Sequence, residues 1–389
     1  MKFKARTECP GCGGGSLSPV LRLPKQPAVL NYRFPTVAAA QKVARRDVTL
    51  VSCDACGLVF NSTFDADAVP YDDRYENRQC FSPAFNDHLD SLSKGLIRRN
   101  KLNGGRILEV GCGKGDFLRR ICSDAEASGD GYDTSFEAGA EPDPQGLRFF
   151  ARYVAPEDIR HSYDAILCRH VVEHVPEIGQ FLELLHDLAV ASGDPVVVLE
   201  TPRFEWIVEH TCLWDVFHEH CNYFLESALA TLCRNAGFRV VRQRPVFDDQ
   251  YQLVELRLAK NSKRGRSPSS QTESQKQVKA FGRRALLGLA KLEQKIGRAA
   301  AEKPWAVWGA GAKGVALVNQ LPTAKPRCVI DSNPAKQGGV LPGTAVRIVA
   351  PADPVVSKLG LIVIANPNYA VEIRRDLARL GFTGRTFTL

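Results

Sequence analysis

The segment Phe217-His218-Glu219-His220 places a carboxylate between two imidazoles. Histidine titrates close to neutral pH, and a neighbouring Glu can fix its tautomer and raise its basicity. A general base of this kind typically contributes about 10² to 10⁴ in rate. We expect His218 and His220 to point in opposite directions, so that only one of them reaches a substrate. Two hydrogen-bonded histidines that pack the loop are the alternative interpretation.

A second such segment, His170 to His174, has the H-x-x-E-H pattern of some zinc proteases. Those enzymes carry the motif within a long helix, whereas here it directly follows YDAILC, an apolar run typical of a buried strand. We therefore predict that the segment binds no metal, and we place His174 in the wall of a substrate pocket.

Glycines 111, 113 and 115 follow another short apolar run, Ile107 to Val110. This pattern predicts a strand of a parallel sheet, a sharp turn that lets the backbone approach a ligand, and then a helix. The spacing differs from the dinucleotide pattern G-x-G-x-x-G, whose third glycine comes one residue later. Glu109, just before the turn, can bind a charged amine.

The next predicted strand ends at Asp133, 22 residues beyond Gly111. A carboxylate at a second strand tip can hold both hydroxyls of a ribose. Together these features resemble the class I S-adenosylmethionine-dependent methyltransferases, although the glycine turn alone also suits other nucleotide-binding α/β proteins. The resemblance implies a site for S-adenosylmethionine, to which we assign Glu109, Gly111, Gly113, Asp133 and Cys168.

Two C-x-x-C pairs, Cys9 with Cys12 and Cys53 with Cys56, are each followed by glycine and lie forty residues apart. Four thiolates in two such pairs are common ligands of structural zinc. A redox-active C-x-x-C pair is the alternative, but the flanking glycines and the apolar runs that follow favour zinc. The spacing therefore predicts a small β unit that holds one Zn²⁺.

Between residues 106 and 202, predicted strands alternate with helical patterns, which is typical of a parallel sheet with crossover helices. Two further strands, FRVVRQRPVF and YQLVELRLAK, predict a terminal antiparallel pair, as in the methyltransferase sheet. Residues 70–100, which link the zinc unit to the catalytic domain, are predicted to be helical. Tyr71 and Tyr75 in this segment either pack the connection between the two domains or reach over the cofactor cleft. The predicted fold class is α/β: a class I methyltransferase Rossmann-like sheet with an N-terminal zinc-binding β unit and a smaller C-terminal α/β domain.

Residues 261–277 are polar and predict a mobile linker, and the apolar spacing after Val278 predicts one amphipathic helix. A second glycine turn, GAGAKG from Gly309, matches the dinucleotide pattern, with Asp331 twenty residues beyond Gly311. Only 86 residues remain from Pro304 onward, about half of a dinucleotide domain. We therefore favour a small α/β module over an NAD site, with Lys313 near a phosphate.

The chain has 389 residues, a net charge of +8 and 44% apolar residues, which predicts two or three globular domains. Residues 260–303 carry twelve Lys or Arg and only three Glu, so the rest of the chain is close to neutral. Such a segment is more often a solvated face than a nucleic-acid contact. The sequence shows no signal peptide or membrane-spanning run, so we expect a cytoplasmic enzyme that contacts no membrane.

The order of these features resembles one family, the bacterial C-methyltransferases that act on nucleotide-linked deoxysugars. The resemblance rests on the four cysteines, the EVGCGKG turn, the E-H-x-x-Y segment at Glu219, His220 and Tyr223, and the GAGAKG turn. It implies that His220 acts as the base with support from Glu219, and that the zinc domain helps to cover the substrate. These enzymes usually have Tyr three residues before the base, where this chain has Phe217.

The resulting hypothesis is a zinc-containing methyltransferase that deprotonates a carbon beside a ketone of a nucleotide-linked sugar. We assign Tyr71, Tyr75, His174, His218 and Tyr223 to the substrate pocket. The predicted domains are a zinc-binding domain (1–68), a methyltransferase domain (69–260), a basic linker with its helix (261–303) and a C-terminal α/β domain (304–389). The alternatives are O- or N-methylation of another small molecule and a zinc-bearing nucleic-acid binder.

Overall fold

The computed structural model describes residues 5–70, 75–76, 78–137, 146–260 and 273–389, and all structural statements concern these residues. Tyr71 and the predicted linker up to residue 272 lie outside them. The described strands form three sheets, of four, seven and five strands. Apolar cores under these sheets contain the strand residues that the sequence shows as short apolar runs.

The four-stranded sheet belongs to the N-terminal unit, apart from one strand. It consists of β1 (Leu17–Pro27), β2 (Arg45–Cys53) and β3 (Val59–Asn61), with a short helix α1 (Val37–Gln41) before β2. Its fourth strand, β9 (Asn222–Tyr223), comes from the far end of the predicted catalytic segment and pairs with β3. The N-terminal unit is therefore joined to that segment by backbone hydrogen bonds.

The seven-stranded sheet is the central one, and its first five strands are parallel. In chain order the strands are β4 (Arg106–Val110), β5 (Ser128–Tyr132), β6 (Leu147–Phe150), β7 (Ala165–Arg169), β8 (Val196–Pro202), β10 (Phe238–Val246) and β11 (Tyr251–Leu258). Their spatial order is β10-β11-β8-β7-β4-β5-β6, with the terminal pair antiparallel. This is the class I methyltransferase topology that the sequence predicts.

Helices cover both faces of the central sheet, because the side chains on both faces of its strands are buried. They are α2 (Pro83–Asn100), α3 (Asp116–Ala125), α4 (Ile178–Ala191), α5 (Phe204–Glu209) and α6 (Glu226–Asn235). Helix α2 begins after Ser82, whose side chain caps the backbone N–H of Phe85, and Pro83 occupies the first position of the helix. The helical pattern predicted over residues 70–100 therefore starts later, at residue 83.

The amphipathic helix is α7 (Glu273–Ala299), and it begins within the stretch that the sequence predicts as linker. Gln275 is buried there, because its side chain lies against Gly57 of the second cysteine pair. Further along, Gly282 approaches the carbonyl of Val20 so closely that a Cβ at this position would lie 2.1 Å from the oxygen. The apolar face of α7, including the fully buried Phe281, therefore packs on the N-terminal sheet.

The five-stranded sheet is parallel and forms the C-terminal α/β domain. Its strands are β12 (Trp305–Trp308), β13 (Cys328–Ile330), β14 (Ile348–Val349), β15 (Leu361–Ile364) and β16 (Arg385–Thr388), in the order β14-β13-β12-β15-β16. Helices α8 (Ala312–Gln320) and α9 (Ala370–Arg379) complete it. None of the helices in the described part of the chain has both the length and the apolar character that a membrane span requires.

Candidate active site

A cleft of about 280 Å³ lies where the three sheets meet. The N-terminal unit contributes Asn31, and the connection that follows it contributes Tyr75. The remaining walls come from loops of the central sheet and from the glycine turn of the C-terminal domain, and they include His170, Glu173, His174, Phe217, His220, Gly309, Lys313 and Asp331. The cleft therefore gathers residues that lie up to 300 positions apart in the sequence.

His220 lines this cleft and makes mainly ring contacts. Its ring lies 4.8 Å from that of His174 and 4.2 Å from that of Phe217, measured between centroids. Its Nδ1 atom is buried and has no hydrogen-bond partner among the described residues. Burial, together with the nearby His174, His170 and Lys313, lowers the pKa of His220 well below its usual value. The imidazole is therefore neutral at neutral pH and can accept a proton.

Glu219 is fully buried, and its carboxylate contacts the N-terminal unit and the connection that follows it. It accepts hydrogen bonds from the backbone N–H of Leu30 (2.5 Å), from Asn31 (3.4 Å) and from the hydroxyl of Tyr75 (3.2 Å). Its backbone carbonyl accepts a hydrogen bond from Nδ1 of His174 (2.9 Å). The hydrogen bonds described for this carboxylate therefore go to residues other than His220, so the residue anchors the N-terminal unit and, through its backbone carbonyl, orients His174.

His218 and Tyr223, both predicted for the substrate pocket, lie behind its wall. His218 stacks on Phe64 and contacts the backbone of Asp65 (3.3 Å), because residues 218–219 form a turn that directs this side chain away from the cleft. The hydroxyl of Tyr223 donates to the carbonyl of Phe217 and accepts from its N–H, both at 3.0 Å. His218 therefore faces the N-terminal unit, and Tyr223 fixes the shape of the loop.

The H-x-x-E-H segment forms a loop and a single 3-10 turn after β7, not a long helix. Glu173, His174 and His220 each bring one possible metal-ligand atom to within 4.8 Å of the others. However, Glu173 already accepts a hydrogen bond from Thr201 (2.9 Å) and lies beside His170 (3.5 Å). These contacts give the carboxylate of Glu173 hydrogen-bonding and charged neighbours within the protein itself.

His170 lines the cleft, although the sequence analysis considered it only as part of the H-x-x-E-H pattern. Its backbone has φ = 54°, a left-handed conformation that is unusual for a side chain larger than glycine. Its ring packs edge-on against Tyr251 at 4.6 Å. Strained backbone of this kind concentrates at functional sites, but no sequence pattern reveals it.

The glycine turn after β4, which we predict to bind the cofactor, lies on the other side of the loop that follows β7. A Cβ on Gly111 would lie 2.2 Å from the side chain of Val171, so only glycine allows the loop to pack here. Asp133 accepts hydrogen bonds from the backbone N–H of Gly113 (2.8 Å) and of Ser135 (2.7 Å). The loop after β7 therefore contacts the glycine turn through Val171 and the cleft through His170.

The C-terminal glycine turn is built similarly and faces the cleft. Asp331 accepts a hydrogen bond from the backbone N–H of Ala310 (2.6 Å), and a Cβ on Gly314 would lie 1.9 Å from the carbonyl of Gly309. Lys313 forms an ion pair with Asp215 at 2.6 Å, just before the segment that carries His220. The C-terminal domain is thus attached directly to the wall of the cleft.

Two protein-family models match the chain. One, described as a methyltransferase domain, matches residues 57–243, and the other, described as a C-methyltransferase C-terminal domain, matches residues 252–389. The chain is an S-adenosylmethionine-dependent methyltransferase. A search of curated proteins found no significant match.

Solved methyltransferase structures resemble the enzyme over part of its length. One is magnesium protoporphyrin IX methyltransferase from Synechocystis PCC 6803 with bound S-adenosylhomocysteine, at 15% identity and a TM-score of 0.35, covering 45% of this chain and 84% of that one. Another is a SAM-dependent methyltransferase from Aquifex aeolicus, at 14% identity and a TM-score of 0.35, covering 50% of this chain and all of that one.

The strand tips of the methyltransferase suit its cofactor. Space is open around Gly113, where no atom lies within 4 Å of the position of a Cβ. Glu109 is buried, and one of its oxygens has no hydrogen-bond partner among the described residues. Burial raises the pKa of Glu109 to about 8, and the positive charge of Arg169 opposes this rise. The thiol of Cys168, by contrast, lies in the core on the opposite face of β7, so we expect no side-chain contact with the cofactor from it.

The four cysteines of the methyltransferase converge as predicted from their spacing. The Sγ atoms of Cys9 and Cys56 lie 3.6 Å apart, as do those of Cys12 and Cys53, and all four form one cluster. Zinc–sulfur bonds of about 2.3 Å in a tetrahedron require sulfur atoms roughly 3.8 Å apart. The donor set and its spacing therefore fit a closed, four-coordinate zinc site.

Proposed function

We propose that this methyltransferase adds a methyl group to a carbon next to a ketone of a nucleotide-linked sugar, with His220 as the base. The observation that carries the proposal is the imidazole of His220, whose buried Nδ1 has no hydrogen-bond partner among the described residues, in a cleft shared with the C-terminal glycine turn. A hydroxyl or amine acceptor already has a nucleophilic lone pair, whereas a carbon acceptor must first lose a proton. The match to a C-methyltransferase C-terminal domain supports the same choice.

In this mechanism the imidazole of His220 takes the proton from the carbon beside the ketone, and the electron pair of the C–H bond becomes part of an enolate. S-adenosylmethionine, when bound, supplies an electrophilic methyl group. The enolate carbon would be the nucleophile that forms the new C–C bond, while the bond between the methyl group and the sulfonium sulfur breaks and its electron pair stays on the sulfur, which leaves a neutral thioether. His174, oriented by the carbonyl of Glu219, lies edge-on to His220 and holds its ring in place.

The C-terminal domain would hold the phosphates of the acceptor. The glycine turn leads into the N-terminus of α8, where backbone N–H groups and the helix dipole favour an anion. Lys313 and Lys336 lie beside this turn and line the cleft, and Asn333 adds an amide. This positive charge in the same cleft as His220 supports a nucleotide-linked acceptor over a small uncharged one.

We also propose that Cys9, Cys12, Cys53 and Cys56 hold one structural Zn²⁺. The site has four thiolates and no open position, so it supplies no reactive water. Its role would be to hold the N-terminal unit, whose β3 pairs with the strand that follows His220. In this way the ion supports the position of the base without touching the substrate.

The decisive experiment is proton exchange in deuterated water, followed by mass spectrometry of nucleotide ketosugars. With the enzyme and S-adenosylhomocysteine present, the hydrogen beside the ketone should exchange, and the His220→Ala variant should not catalyse this. With S-adenosylmethionine, the product should carry the methyl group on carbon. A methyl group found on oxygen or nitrogen, with no enzyme-dependent exchange, would favour the alternative methyltransferase activity.

A further inference from the structure

Helix α8 of the C-terminal domain holds a turn of the methyltransferase domain at two points. This turn is the 3-10 segment Leu213–Asp215, which lies between α5 and β9. Near the start of the helix, Nζ of Lys313 lies 2.6 Å from the carboxylate of Asp215. At the last residue of the helix, the amide of Gln320 donates to the carbonyl of the first residue of the turn (3.2 Å) and to that of Val216 (3.0 Å). The C-terminal domain therefore fixes the position of this turn.

The other contacts of Lys313 also reach into the methyltransferase domain. Its Nζ lies 3.3 Å from Oε1 of Gln250, just before β11, and 4.8 Å from the ring centroid of Trp206 in α5. The side chains of Lys313 and Asp215 are only 17% and 8% exposed. Water and salt therefore weaken this ion pair less than they would weaken one at the surface. The phosphates of an acceptor would mainly contact Lys336 and the N–H groups at the start of α8.

The turn leads directly to the proposed base. Two residues after Asp215 comes Phe217, whose ring lies 4.2 Å from that of His220. The hydroxyl of Tyr223 holds the backbone of Phe217 at a second point. Residues 216–219 are buried, and a closely packed interior transmits a displacement instead of absorbing it. A shift of Asp215 would therefore move the ring of His220.

The charge of Lys313 also acts on His220. Burial is the largest cause of the lowered pKa of His220, and three nearby basic side chains add to it. These are His174, His170 and Lys313. Further titratable groups near the ring are Glu173 within 4.8 Å, the neighbouring Glu219, and Tyr223, whose ring centroid lies 6.1 Å away. Since Lys313 helps to lower the pKa of His220, its removal should raise that pKa.

We propose that Lys313 positions the base of the reaction: its ion pair with Asp215 fixes the loop that carries His220, so that the C-terminal domain contributes to proton transfer in the neighbouring domain. The inference rests on the proposed role of His220 as the base. It makes Lys313 a positioning residue, because its side chain acts on the reaction through other residues. Loss of Lys313 should therefore lower turnover, whereas loss of a phosphate ligand would lower the affinity for the acceptor.

Steady-state kinetics with a nucleotide ketosugar at saturating S-adenosylmethionine separate these two roles. Lys313→Met removes the charge and keeps the length of the side chain. Its kcat should fall about 10- to 100-fold, the usual effect of losing one charged hydrogen bond, with the KM for the ketosugar unchanged. Asp215→Asn should lose as much, and the double variant should lose no more, because both substitutions remove the same interaction. A raised KM with an unchanged kcat would overturn the proposal.

Lys325→Met is the matched control for this experiment. Its Nζ contacts the carbonyl of Leu321 (2.7 Å), just past the end of α8, and the residue does not line the cleft. The control should keep both kcat and KM. If Lys313→Met does not fold, Asp215→Asn tests the ion pair from its other side, and a normal kcat in that variant would overturn the proposal.

An NMR titration of the histidine rings in the ligand-free enzyme tests the link to His220 without an acceptor, with the signal of His220 assigned by its loss in His220→Ala. Lys313→Met should raise the pKa of His220, and Lys313→Arg, which keeps the charge, should leave it close to that of the unmodified enzyme. An unchanged titration of His220 in folded Lys313→Met would overturn the proposal. A raised pKa together with normal turnover of His220→Ala would support the link and refute the proposed function instead.

Discussion

The carboxylate of Glu219 accepts a hydrogen bond from the backbone N–H of Leu30, although 189 positions separate the two residues. This contact joins the N-terminal unit to the residue that precedes His220. Because both groups are buried, removal of the carboxylate leaves the N–H of Leu30 without a partner, which typically costs about 1 to 3 kcal/mol.

We therefore expect Glu219→Ala to lower the free energy of unfolding by about that amount and to reduce turnover as well. Chemical denaturation and methyl-transfer assays measure the two effects. Glu205→Ala is the control, because this buried carboxylate also accepts from a backbone N–H, that of Glu226 (2.8 Å), but does not line the cleft. It should lose stability and keep its turnover. An unchanged turnover in folded Glu219→Ala would argue against the coupling.

His220 and His218 should respond differently to the same substitution. His220→Ala should lose about 10²- to 10⁴-fold in turnover, the contribution of a general base, and should bind S-adenosylhomocysteine normally. His218→Ala should mainly lose stability, because the ring packs on Phe64 beneath the cleft. Turnover per folded molecule and cofactor affinity are the measurements. Near-normal turnover of His220→Ala would refute its role as the base.

The pH dependence of the reaction should follow the lowered pKa of His220. A base with a depressed pKa stays neutral and active at neutral pH, and it loses activity only as the pH falls through that lower value. We expect kcat/KM for the acceptor, measured at saturating S-adenosylmethionine, to stay level down to about pH 6.5, the ordinary value for histidine. An acid limb centred above that pH would contradict the proposed neutral base.

Asp133 and Asp331 occupy corresponding strand tips in two domains, yet only one should affect the cofactor. Asp133→Ala should weaken S-adenosylhomocysteine about 10- to 100-fold through loss of charge-assisted bonds to the ribose. Asp331→Ala should leave that affinity unchanged, because its carboxylate braces the C-terminal turn at Ala310. Calorimetry on both variants gives the answer. The reverse pattern would place the cofactor in the C-terminal domain.

Metal analysis should find one zinc ion per chain. Cys12→Ser should lose the ion and lower the melting temperature, because small zinc units lack a sufficient core of their own. Cys80→Ser is the control, since Cys80 is exposed and lies outside the cysteine cluster. Chelation should also reduce turnover, because β3 of the same unit pairs with β9 next to His220. Zinc-free protein with full stability and activity would rule out this site.

Local patterns in the sequence determined much of the fold. The apolar runs predicted the strands of the central sheet, and Gly111 and Gly314 of the two turns stand where the backbone makes close approaches. These features depend on residues a few positions apart, so spacing alone reveals them.

Only the tertiary structure decided which distant groups meet. The sequence alone suggested that Glu219 supports its neighbour His220, but burial pairs this carboxylate with Leu30 instead. It also gave no reason to place Lys313 beside Asp215 or to leave one nitrogen of Arg169 without a partner. A buried charge pairs with whatever group the fold brings within hydrogen-bond distance, and that group can lie anywhere along the chain.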